Sequence, residues 1–233
     1  FVIGRIVGAW LFRLDGVGQS VFALGGIFSN NVLLGVPLAK VLLGDAAMPT
    51  ISLIIVFNTL TLWMLVTVSV EWARNGDMSL RGFTKTIKGL LTNPVIASIL
   101  AGAAFGLTGL TLPAMIDKPL SLMADSATPL ALVVLGMGLA EYGVRSGWRA
   151  GTAIAFLKLI GQPLVIWVIA WLIGLPLLET QAAVLLASLS VGVNVYLMAR
   201  EFDAMQSAVA SSMVLSTVLA VVTTPLALAL VSG

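Results

Sequence analysis

Phe28-Ser29-Asn30-Asn31-Val32-Leu33-Leu34-Gly35-Val36-Pro37-Leu38 sets two adjacent amides, a glycine and a proline inside a long apolar run. In water this stretch reads as a turn. Here it falls where a membrane-spanning helix, roughly 20 mostly apolar residues, is expected. Unsatisfied backbone is costly in hydrocarbon, so a broken helix persists at that depth only when buried in protein or lining a cavity. In transporters such breaks form the substrate site. The segment therefore points to transport, not only to membrane residence.

Composition supports that setting. The 233 residues are 59% hydrophobic and 9% charged, with a mean hydropathy of +1.10. Soluble domains carry about 25% charged residues, so so few charges cannot cover a water-soluble surface, and the class is all-α polytopic membrane protein. The net charge of +2 makes no case for nucleic acid, because the basic residues lie between apolar runs as membrane topology requires. The chain has no cysteine and no histidine. Disulfides, thiolate and imidazole metal ligands, Ser-His and Cys-His pairs and histidine relays are therefore excluded. With no paired membrane carboxylates, no phosphate loop and no nucleotide motif, neither an intramembrane enzyme nor an ATP-driven pump is expected, and no cofactor.

The first apolar run, Phe1–Phe12, is too short to span, and Arg5 and Arg13 interrupt any signal-peptide pattern. It reads as the tail of a helix whose earlier part lies outside this sequence. Seven further spans follow, at about Val17–Leu43, Pro49–Trp72, Pro94–Leu110, Leu120–Tyr142, Thr152–Ile173, Thr180–Ala199 and Met205–Val231. The loops holding Arg13, then Arg74, Arg81, Lys85 and Lys88, then Arg145 and Arg149, then Arg200, fall on one side by this count. The positive-inside rule assigns that side to the cytoplasm and sends the C-terminus outside. The amphipathic stretch between the second and third full spans reads as an interfacial helix.

Laid against itself, the chain shows an internal repeat. Gly44-Asp45-Ala46 meets Phe202-Asp203-Ala204, and Phe57-Asn58-Thr59 meets Leu215-Ser216-Thr217 at the same offset without a gap. The matched spans run in opposite directions, as an inverted repeat requires. The division is then 1–72 for the end of a first repeat, 73–92 for a cytoplasmic linker and 93–233 for a second repeat. An intact protein of this kind has about ten spans in two halves, of which about seven and a half are here. The second broken helix falls at Ser188–Tyr196, within Thr180–Ala199, and has no proline.

An organic anion at the midplane must exchange hydration for fixed donors. Half-helix N-termini supply free N–H groups and the positive end of a dipole, roughly half a charge. Asn30, Asn31 and Asn194 add neutral amides that can release a carboxylate again; their alternative role is to cap freed backbone. Gly35, Pro37, Ser190 and Val193, which shape the two breaks, are counted with these amides and Asn58 as the substrate-binding residues. Asn58 and Thr59, on the next span, either face the crossing or tie helices together. Asp125 is the intramembrane carboxylate and the candidate for proton or Na⁺ coupling, against an interfacial role facing outside water.

Four stretches resemble the auxin efflux carrier family: Asn30–Leu38, Asn93-Pro94, Ala127–Leu139 and Ala187–Phe202, where Ala199-Arg200-Glu201-Phe202 is similar to the family's exit from its second broken helix. The resemblance covers essentially the whole chain and is specific in combination. It implies an inverted-repeat fold in which two broken helices cross at the centre and one bundle moves against another. It also implies a bacterial inner-membrane permease for a small organic anion such as malonate or malate; a homodimer is one assembly left open. Plant members carry prolines where this chain has Ser190 and Val195, so the resemblance carries Asn194 less directly than Asn30. A Na⁺-coupled symporter of the bile-acid type is the alternative. Those proteins place several acidic residues by their crossing, and Asp125 is the sole counterpart here.

Overall fold

The computed structural model describes residues 1–75, 94–142 and 147–232. They fold into α1 (Val2–Phe12), α2 (Gly16–Gly25), α3 (Val36–Leu43), α4 (Met48–Asn75), α5 (Pro94–Leu107), α6 (Ala114–Tyr142), α7 (Trp148–Phe156), α8 (Gln162–Leu172), α9 (Leu177–Ser188), α10 (Val193–Glu201) and α11 (Gln206–Ser232). Among the described residues no strand occurs beyond one isolated bridge. Asp45–Arg74, Trp148–Leu172 and Gln206–Ser232 are each long and apolar enough to cross a membrane, and the all-α polytopic class holds. Most of the amphipathic linker expected at 73–92 lies outside the described residues, as does Arg145.

Burial is distributed as a lipid solvent requires. Trp10, Val41, Trp171 and Val221 stand exposed on the outer faces, while Ser188, Ser190, Ser212 and Ser216 are fully buried. Small and hydroxylated residues inside let helices approach closely and bond across their seams. Gly4 of α1 shows the spacing: a Cβ there would stand 2.7 Å from the Ala23 Cα of α2.

Both expected breaks are present. The first leaves α2 at Gly25, runs unwound to Asn30 and re-enters helix through a π turn at Asn31–Gly35 before α3. The second leaves α9 at Ser188 and resumes at Val193. The two unwound segments lie antiparallel, with Ser29 paired to Val191. Asn30 N donates to Ser190 O at 3.0 Å, and Gly192 N donates to Phe28 O at 2.8 Å. Each break thus donates one main-chain hydrogen bond to the other.

Proline is not needed for the second break. Leu189 and Gly192 are extended, and side chains of α11 take the freed groups. Val191 N donates to Ser216 Oγ at 3.0 Å, and Thr224 Oγ1 donates to Ser188 O at 2.9 Å. The prolines that do occur near breaks have another use. Pro37 and Pro163 each occupy the first turn of a helix that follows a π turn, Asn31–Gly35 and Leu157–Gly161. Proline has no N–H to donate, and the wider turn ahead of it absorbs the shift in register.

Packing around the breaks repeats itself. α2 lies against α1 and α4, and α9 lies against α8 and α11; α3 contacts α4, and α10 contacts α11. Across the crossing α2 meets α10 while α9 meets α3.

Gly192 has no room to spare, since a Cβ would stand 2.8 Å from Ser29 O and 3.0 Å from Phe28 Cδ1. Gly192→Ala should cost about 1–3 kcal/mol through overpacking against fixed backbone. It should lower the midpoint of thermal unfolding in detergent. Gly102→Ala, where nothing stands within 4 Å, should not.

Candidate functional site at the helix crossing

The crossing leaves a cavity of about 170 Å³ on one side, lined among others by Ser29, Asn30, Asn31, Thr59, Gly192 and Asn194. Phe28, Val32, Leu33, Val193 and Leu197 complete its wall. Asn31, Val32 and Leu33 open one re-entering helix and Val193 and Asn194 the other, and leading N–H groups of a helix lack an i−4 partner within it; Asn31 N and Val195 N turn back to Ser29 O and Gly192 O. Both positive helix ends therefore face one small volume. The Asn31 side chain is buried there and its Oδ1 has no hydrogen-bond partner. That oxygen accepts from no backbone N–H, so it does not cap the freed main chain.

A second cavity, about 480 Å³, lies against the same crossing and is lined by Asn30, Val191, Val193, Met213 and Thr217 among others. Asn30 and Val193 thus border both spaces. Thr59 borders the first and Thr217 the second.

The remaining sequence candidates divide by position. Asn58 turns away from the crossing cavity into a third space of about 290 Å³, shared with Gly26, Ile27 and Gln162; Thr59 takes the place beside the amides. Gly35 is a packing residue, since a Cβ there would stand 2.7 Å from Leu186 Cδ2. Pro37 lies behind it in the first turn of α3. Ser190 is fully buried; its carbonyl receives the Asn30 N–H, and its Oγ has no partner. Asp125 is exposed on α6 and borders none of these three cavities.

Two residues escaped the sequence reading. Lys158, in the π turn between α7 and α8, is fully buried, and its Nζ donates to Ala187 O at 2.6 Å. Gln162, one turn later, donates through Nε2 to Ile27 O at 2.8 Å. One helix face therefore holds the C-terminal ends of α9 and α2 where they enter the crossing. The available signal was an ionisable residue in the middle of an apolar span, which is functional by default.

Residues 1–228 match the protein family described as "Membrane transport protein". A protein of Rhizobium meliloti (strain 1021) named "Putative malonate transporter" is 24% identical over 228 residues, covering 96% of this chain and 70% of that protein.

The chain has no cysteine, so single cysteines report on access directly. Thr59→Cys and Asn194→Cys should react with a small hydrophilic thiol reagent in membranes. Ser190→Cys should stay unmodified under the same conditions, as counted by mass spectrometry.

Proposed function

The chain belongs to the membrane transport protein family, and we propose that it is a secondary transporter moving a small organic anion of the malonate class by alternating access at the helix crossing. The observation that carries this reading is the pairing of two helix N-termini with Asn31 and Asn194 around one small cavity. A carboxylate entering it would exchange water for backbone N–H groups and neutral amides. Such donors are strong enough to desolvate an anion, and they lack the fixed charge that would hinder release. The name of the Rhizobium relative supports the choice of malonate as first substrate.

Asn30 and Val193 border the spaces on both sides of the crossing, which suits them as the partition between two access routes. The repeated packing of α1–α4 and α8–α11 supports an inverted repeat, with the crossing on its pseudo-axis. Under the positive-inside rule the loop ends bearing Arg13, Arg74 and Arg200 face the cytoplasm, in a bacterial inner membrane, and the C-terminus lies outside.

Proteoliposomes preloaded with unlabelled malonate should accumulate labelled malonate by counterflow. Asn31→Leu and Asn194→Leu should each lower the initial rate about tenfold, the equivalent of one hydrogen bond to a charged group. Leu107→Ala, on an exposed position, should leave it unchanged. Full counterflow in the Asn31→Leu/Asn194→Leu double variant would exclude the crossing as the site.

A further inference from the structure

We propose that Lys158 carries a co-transported proton, so that the anion crosses together with H⁺. This inference rests on the anion site proposed above. Among the described residues Lys158 and the phenol of Tyr196 are the ionisable side chains in the buried set, and Lys158 is the one that becomes a cation on taking up a proton. Its bonding partner is a neutral carbonyl, Ala187 O, at the end of α9. The elements packed on its π turn are α7, α8, α9 and α11. α7 contributes Arg149, and α9 contributes Glu179 in its first turn, at the opposite end of the helix from Ala187. α8 and α11 hold no ionisable residue. No carboxylate of these elements therefore stands beside the amine as a fixed counter-ion.

The position links that amine to the cavity. Ala187 is followed by the short segment Ser188–Val191 and then by Gly192, which borders the anion site. In a low-dielectric interior, opposite charges interact far more strongly than in water. A carboxylate at the crossing and a proton on Lys158 therefore stabilise one another, and linkage makes the effect reciprocal. The step is the simple protonation of the amine, –NH₂ + H⁺ → –NH₃⁺, as the anion enters. The proton leaves to water on the release side as the anion departs. The chain lacks histidine, Asp125 is exposed, and Tyr196, the other buried ionisable side chain, is neutral when protonated and gives an anion no counter-charge.

The test is calorimetric titration of the purified full chain with malonate above pH 7.5, in buffers of different ionisation enthalpy, which counts protons taken up per anion bound. Wild type should take up as much as one proton per malonate, and its affinity should fall with rising pH by as much as about tenfold per unit. Lys158→Arg should bind with no proton uptake and a flat pH profile, because guanidinium stays charged. Lys158→Met should bind more weakly, again without uptake. Asp125→Asn should behave as wild type. Malonate binding by wild type without proton uptake, or uptake that persists in either Lys158 variant, would overturn the inference and leave the anion site standing. Absence of malonate binding in folded wild type would overturn both. If neither variant can be recovered folded, the wild-type pH profile decides, and a flat one overturns the inference.

Discussion

A main chain that leaves its helix inside a membrane must find a partner for every amide and carbonyl it frees, because hydrocarbon offers none. The whole arrangement follows from meeting that demand twice at one point. Each break takes bonds from the other, through Asn30 to Ser190 and Gly192 to Phe28. Four more of the freed groups are taken by hydroxyls of α11 and by Lys158 and Gln162. Leaving one such buried group unmet costs about 1–3 kcal/mol, a substantial part of the net stability of a typical domain. The same opening of the helix creates the site, since the N–H groups that start α10 and the Asn31 turn have no helical partner to consume them.

How much of this is readable in advance depends on whether a residue announces its surroundings. The first break is legible because Asn30-Asn31 and Gly35-Val36-Pro37 violate helix preference within an apolar run. The second is legible through its kinship with the first, and its unwinding owes nothing to local sequence rules: Ser216 and Thr224, on a different helix, hold it open. The choice between Asn58 and Thr59 could not be made from α4, which is apolar on every side, so that no periodic stripe marks the protein-facing direction. Lys158 is the instructive omission. A single cation in a strongly apolar span is easily read as a snorkelling side chain, yet it is fully buried. The fate of such a residue is decided by the carbonyls it meets, and those come from a helix far along the sequence.

The prolines show the same dependence on context. Pro37 was the most conspicuous helix breaker in the opening stretch, and the chain unwinds upstream of it, at Gly26–Asn30. Its contribution is to set a π turn, a device used again before Pro163. In one case the turn carries the amide that faces the cavity; in the other it carries the lysine that closes the end of α9.

The antiparallel pairing of Ser29 with Val191 has an implication for how such a molecule can diversify. Its bonds run from main chain to main chain, through atoms common to nearly all amino acids; proline at Asn30 or Gly192 would remove a donor, and bulk at Gly192 would not fit. Outside those restrictions the central joint is indifferent to spelling. Descent can therefore exchange the amides and threonines around the cavity while the joint itself goes unrewritten.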